Sequence, residues 1–263
     1  MSRPRALVTG ASRGIGKAIA SSLSRRGFET LGTSRRPEDI REPIPGIRYL
    51  PLDLEDDRAI EACVREAGAV SIVVNNAGGS CVWPAAETPL DRVFRLFQLN
   101  VFGPLRLIHG LLPGMIERRE GFILNIGSLV GRFAIPFQSS YSASKAALAV
   151  HLWSLRNEVR KHGIRVVTLD PHHIRTTIKP EVFWPSDSSF TREMAAVMRS
   201  REASVARGSS PEIVARKTIK ILGKRNPAPF YSVGGNAPFL LFLKRCLPDR
   251  AAEKLVRKSF GLP

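Results

Sequence analysis

Short, mostly apolar runs without period-two alternation, each followed by a helix-patterned stretch, constrain this chain more than any other feature. They read as strands at Ala6–Thr9, Phe28–Gly32, Ile47–Leu52, Val70–Val74, Phe122–Ile126 and Ile164–Leu169. A strand with one wet face alternates apolar and polar residues, whereas strands covered on both faces, as in parallel sheets, do not. Helical stretches fall between them: Lys17–Arg26 closed by Gly27, Asp56–Ala67, Leu90–Leu112 with Gly103-Pro104 as a disturbance, and Gln138–His162 ended by Gly163. Strand–helix alternation requires right-handed crossovers. The expected fold class is α/β, a doubly wound parallel sheet in a single domain over 1–263, with ligands at the carboxyl ends of the strands.

The first run opens onto Thr9-Gly10-Ala11-Ser12-Arg13-Gly14-Ile15-Gly16. Glycines permit a tight turn and the close approach of a pyrophosphate to backbone N–H groups, and the following helix directs its positive end there. A glycine-rich turn alone is a weak signal; its place between the first strand and the first helix makes it a dinucleotide site, and the fold a Rossmann fold. The second strand ends in Gly32-Thr33-Ser34-Arg35-Arg36. It carries no carboxylate to bind a ribose 2′-hydroxyl, and Arg35, joined by Arg13, suits a 2′-phosphate. The expected cofactor is NADP(H), with NADPH preferred over NADH.

Tyr141 and Lys145 lie four apart near the start of the Gln138–His162 helix, and so share a face. A free tyrosine titrates near 10, and a neighbouring ammonium lowers that value. Such a pair can take a proton from an alcohol or give one to a ketone oxygen. Alone, it is more often a packed tyrosine beside a surface lysine. Ser128 directly follows the fifth strand, 13 residues before Tyr141, with a hydroxyl suited to the reacting oxygen. Asn100 sits in an apolar helical segment, where an amide is costly to bury without partners.

In this order the elements resemble the short-chain dehydrogenase/reductase family across nearly the whole chain: Thr9–Gly16, Asp53, Asn75-Asn76-Ala77-Gly78, Asn100, Ser128, Tyr141/Lys145 and Pro171–Thr176. The resemblance implies that Tyr141 is the general acid/base and that Ser128 orients the substrate oxygen. It implies that Lys145 binds the nicotinamide ribose and that Asn100 orders a relay water. It places Gly10, Ser12, Arg13, Gly14, Ile15, Gly16, Ser34, Arg35, Asp53, Leu54, Asn76, Ala77, Gly78, Tyr141, Lys145, Pro171, Ile174 and Thr176 around the cofactor. Where the family usually reads Pro-Gly, this chain has Pro171-His172. His172 either narrows the substrate site or points to solvent.

The segment Asn100–Thr176 is most similar to the steroid and retinol dehydrogenase-like branch, implying a secondary alcohol or ketone on a hydrophobic (steroid-, retinoid- or polyketide-like) molecule. A substrate lid is expected at about 177–208, where Phe183, Trp184, Phe190, Met194, Val197 and Met198 can cover an apolar ligand, and where Arg192, Arg199, Arg201 and Arg207 are either solvated or attract a substrate anion. Pro211–Gly223 reads as a helix and Phe230–Val233 as a last strand, elements that in the family imply a homodimer or homotetramer. The tail, about 237–263, joins an apolar block to a basic amphipathic stretch. It is expected to pack over the pocket or a neighbouring subunit, in preference to docking on an anionic membrane.

Bulk properties narrow the rest. No apolar run approaches the roughly 18 residues that cross a bilayer. Met1–Arg5 leads straight into a strand, so a cytoplasmic location is expected. The three cysteines, Cys63, Cys81 and Cys246, fit neither a disulfide framework nor a metal site. The net charge of +17 is scattered, without a basic block or interleaved aromatics, so nucleic acid is not an expected partner. Two alternatives stand beside the ketone reductase: a reductase of 3-oxoacyl thioesters on CoA or a carrier, and a non-catalytic NADP(H)-binding regulator. The full set of Asn100, Ser128, Tyr141 and Lys145 argues against the second.

Overall fold

The structure is a computed structural model describing residues 3–175 and 179–262. Its strands are β1 (Arg5–Val8), β2 (Glu29–Ser34), β3 (Arg48–Pro51), β4 (Ile72–Asn75), β5 (Cys81–Val82), β6 (Gly121–Ile126), β7 (Ile164–Pro171), β8 (Glu181–Val182) and β9 (Phe230–Val233). Its α-helices are α1 (Gly14–Ser24), α2 (Asp57–Ala67), α3 (Leu90–Phe97), α4 (Gly103–Arg118), α5 (Ser139–Val159), α6 (Thr191–Ala206), α7 (Glu212–Leu222), α8 (Ala237–Cys246) and α9 (Asp249–Ser259).

The main sheet of the described residues is wholly parallel, in the order β3-β2-β1-β4-β6-β7-β9. The winding reverses between β1 and β4, which opens a crevice at their carboxyl ends. Both faces are covered. On one, Leu7, Val73 and Ile123 pack with Leu107, Leu111 and Leu152; on the other, Val8, Val74 and Leu124 pack with Ile19, Leu23 and Val214. This two-sided burial is why the strand sequences lack alternation. Each such side chain contributes about 1.5–3 kcal/mol through burial.

Local signals set the helix ends. The Asp56 side chain accepts from the Arg58 N–H at 2.9 Å to start α2, and Gly68, at φ 62°, ends it. After α5, Gly163 adopts a left-handed conformation at φ 76°, close enough to Arg119 to leave no room for a Cβ. The stretch expected as one helix over Leu90–Leu112 is two, α3 and α4, joined by a wide π-turn over Gln98–Phe102. There the Gly103 N–H reaches back five residues to the Gln98 carbonyl. Two features account for the turn. A Cβ at Gly103 would collide with the Leu54 carbonyl, so the helix approaches that backbone closely. Pro104 has no N–H to give to the Asn100 carbonyl four residues earlier. By contrast α4 runs through Pro113 and on to Arg118.

A short parallel ladder, β5 with β8, ties the loop after β4 to the segment preceding α6. The C-terminal residues form α8 and α9; Phe260 and Leu262 pack with Val82, Met194 and Val197.

Candidate active site

The glycine turn is held by a threonine. Thr9, fully buried at the end of β1, accepts through Oγ1 from the N–H groups of Asn76 and Ala77, both at 2.9 Å. Asn76 returns the contact, its Nδ2 donating to the Thr9 carbonyl at 2.8 Å and the Gly10 carbonyl at 3.3 Å. A side chain at Gly16 would collide with the Gly10 carbonyl, so only glycine lets α1 start this close to the turn. Arg13 precedes α1 without capping it by its side chain, and the first turn has no acidic residue. The helix therefore offers free N–H groups and a positive end to an anion.

These residues open onto a cleft of about 1810 Å³. A single-ligand pocket holds roughly 300–1,000 Å³, so this one has room for a dinucleotide and a substrate together. Ser12, Arg13, Gly14, Ile15, Ser34, Arg35, Asp53 and Leu54 line one half, and Asn76, Ala77 and Gly78 its middle. Lys17 and Arg36 pair with Glu42 and Asp39, while Arg13 and Arg35 enter no ion pair among the described residues. Asp53 receives the Glu55 N–H at 3.0 Å, and so turns the chain at the end of β3. An anionic nucleotide fits this half: exposed cations, open helix N–H groups and no carboxylate at the end of β2.

Tyr141 and Lys145 both reach the far half from one face of α5. Tyr141 packs against the buried cluster of Cys81, Trp83 and Leu96. Burial raises its pKa above the usual 10.0, while hydrogen bonding from Ser128 and the charge of Arg201 pull it back. The Lys145 Nζ lies 5.9 Å from that ring centroid and donates to the Ile126 carbonyl at 3.3 Å. Burial lowers the Lys145 pKa to about 8, against the attraction of Asp170. Ser128 heads a short 3-10 turn, Leu129–Arg132, and its hydroxyl accepts from the Val130 N–H at 3.4 Å.

Asn100 is buried, and its amide is fully used. Nδ2 donates to the Gly79 carbonyl and to Ser144 Oγ, each at 3.0 Å, and Oδ1 accepts from the Gly79 N–H at 2.8 Å. It clamps the loop after β4 to α5. His172 lines the cleft, stacked on His173 at 3.7 Å between ring centroids and held by Asn236. Burial lowers its pKa to about 4. The left-handed turn falls one residue later, on His173 at φ 46°. Pro171 and Ile174 also line the cleft, and Thr176 lies outside the described residues.

The roles of Thr9, Ser144, Arg132 and Asp170 escaped the sequence reading. Thr9 and Ser144 have no pattern that separates them from ordinary strand and helix residues. Asp170, buried at the end of β7, pairs with Arg132 at 2.9 Å and receives the Ser128 backbone N–H. A charged residue just before Pro171, at the carboxyl end of a mostly apolar strand, was the available signal.

The short chain dehydrogenase family model matches residues 4–185. The chain belongs to the short-chain dehydrogenase family. A 3-ketodihydrosphingosine reductase of Bacteroides thetaiotaomicron is 31% identical, over 97% of each chain. A solved short-chain dehydrogenase from Streptomyces avermitilis has a TM-score of 0.85 and 31% identity, covering 99% of this chain and 98% of its own. Actinorhodin polyketide ketoreductase, solved with NADPH, has a TM-score of 0.74 and 26% identity, covering 89% of this chain and 97% of its own. Membership makes this chain an oxidoreductase by family. Among the described residues, no helix is long and apolar enough to cross a membrane.

Proposed function

We propose that this dehydrogenase uses NADP(H) to interconvert a ketone and a secondary alcohol on a hydrophobic substrate, with Tyr141 as general acid/base. The observation that carries the reading is the Tyr141/Lys145 face of α5, set against the Ser128 turn in a cleft whose other half is cationic. The bound cofactor supplies the hydride in reduction and takes it in oxidation. Tyr141 gives its hydroxyl proton to the carbonyl oxygen, or removes the proton of the alcohol. The Ser128 hydroxyl holds that same oxygen. The Lys145 ammonium, 5.9 Å from the Tyr141 ring centroid, would hold the cofactor's ribose beside the reacting groups. Gly10, Ser12, Gly14, Ile15 and Gly16 would hold the pyrophosphate, Arg13, Ser34 and Arg35 the 2′-phosphate, and Asp53 and Leu54 the adenine. Since the Asn100 amide is committed to Gly79 and Ser144, its part in a proton relay falls to the backbone carbonyl that Pro104 leaves without its α-helical donor.

The family kinship with a polyketide ketoreductase and a 3-ketodihydrosphingosine reductase supports this reading. The test is NADPH consumption on a panel of ketones, alcohols and 3-oxoacyl thioesters, with wild type and Tyr141→Phe side by side. A Tyr141→Phe protein as active as wild type sinks the proposal, and activity confined to thioesters replaces the ketone reading with the carrier-bound one.

A further inference from the structure

The half of the cleft beyond Tyr141 carries a charge pattern that the ketone chemistry does not use. The lining carboxylates of the described residues are Asp39, Glu42 and Asp53, all on the β2–β3 side. The far side has Lys179, Arg201 and Lys244. Lys244 donates to the Arg132 carbonyl, and Lys179 is exposed. Arg201 is different. It stands one turn after Val197 on α6, and Val197 is fully buried, so both share the inward face of that helix. Arg201 is half-buried and belongs to none of the ion pairs formed among the described residues. Its guanidinium acts on Tyr141, favouring the phenolate, while burial disfavours its own charge. A partly desolvated guanidinium facing a half of the cleft that no described carboxylate lines is relieved when an anion enters. The same part of the chain lines the cleft with apolar groups, Val205 from α6, Leu240 and Leu243 from α8, Val256 from α9 and Phe260 just after it, together with the hydroxyls of Ser200, Ser204 and Ser259.

We propose that Arg201 anchors an anionic oxygen group of the substrate, a carboxylate or phosphate set a few atoms from the reacting carbonyl, while an apolar chain lies against α8 and α9. This rests on the ketone reading above and adds the substrate class to it. A ketone with an ammonium in the same place is repelled by like charge.

The test uses the full-length protein with NADPH and four ketones of equal alkyl chain: a neutral methyl ketone, a β-keto carboxylate, an α-phosphoryloxy ketone and an α-amino ketone. The expected kcat/KM for at least one anionic ketone exceeds that of the neutral one by about tenfold or more, the worth of a charge-assisted hydrogen bond. The carboxylate and phosphate arms show which anion is preferred. That ratio collapses in Arg201→Ala and partly returns in Arg201→Lys, which keeps the charge without the planar fork. Equal use of neutral and anionic ketones by wild type, or a ratio unchanged in Arg201→Ala, overturns the anchor and leaves the reductase reading standing. Calorimetric binding of an alkyl carboxylate, an alkyl phosphate and an alkyl alcohol to the NADPH complex reads the same contact without turnover. Anion binding that depends on Arg201 in a protein reducing no ketone upholds the anchor and defeats the reductase reading; no such binding and no turnover defeat both.

Discussion

The Arg132 guanidinium and the Asp170 carboxylate form an ion pair at 2.9 Å that fastens the Ser128 turn to the end of β7. Asp170 is nearly sealed from solvent, and no side chain fits at Gly127 because the carboxylate occupies that space. Arg132 also lies flat on Phe230, 3.7 Å from the ring centroid. Removing Asp170 leaves the partly exposed Arg132 charge and the Ser128 N–H without their partner. Asp170→Ala is therefore expected to cost about 1–3 kcal/mol in urea denaturation, and to lower kcat through the displaced Ser128 hydroxyl.

Lys145 is kept in the site at a cost to the fold. Its pKa falls from 10.5 to about 8 on folding, so between those values the unfolded chain binds more protons than the native one, and stability from this group rises with pH. Below about 8 the full penalty is present. Lys145→Met is expected to be inactive yet more stable at neutral pH, by about 1–3 kcal/mol or a few degrees in Tm. That gain should shrink as the pH is raised from about 8 toward 10.5, as read from thermal melts across the range.

The buried Tyr141 hydroxyl holds its proton more firmly than a free tyrosine. Reduction needs the protonated form and oxidation the phenolate. Reduction rates should thus be flat near neutrality and decline on the alkaline side, while oxidation accelerates as pH rises. Tyr141→Phe is expected to lose about 10²–10⁴-fold in kcat in both directions, with cofactor binding retained in a fluorescence titration.

Arg35 is exposed and, like Arg13, free of ion pairs among the described residues. Arg35→Ala should lower the ratio of kcat/KM for NADPH to that for NADH by about tenfold or more. An unchanged ratio would show that Arg35 does not meet the 2′-phosphate.

Phe260 and Leu262 pack with the Met194 and Val197 cluster, and Val256 faces the cleft. Ending the chain at Leu247 removes α9 and with it that cover. The shortened protein is expected to show a higher KM for long-chain substrates than for short ones of the same head, and a lower Tm. On α8, Phe239 and Phe242 point outward, 59% and 65% exposed, while Leu240 and Leu243 face the cleft.

Sheet, winding and the convergence of Ser128, Tyr141 and Lys145 on one cleft were legible because they are written in local patterns. Apolar runs without alternation became strands covered on both faces, and the four-residue spacing of Tyr141 and Lys145 became a shared helix face. The π-turn at Gln98–Phe102 was not legible, because it depends on Gly103 meeting the Leu54 backbone, a contact between distant parts of the chain. Asn100 shows the same limit. That its amide needs partners was anticipated, but those partners, Gly79 and Ser144, come from two other elements. Arg201 stood in the sequence as one of several scattered cations, and only the inward face of α6 sets it apart.

The proposed reacting groups all precede the end of β7, whereas the apolar lining contributed by α6, α8 and α9 comes later in the chain. A single exchange point just past β7 thus separates two heritable cassettes. Recombination there would hand a new substrate preference to an unaltered hydride-transfer module, so a lineage can diversify what it reduces without relearning how.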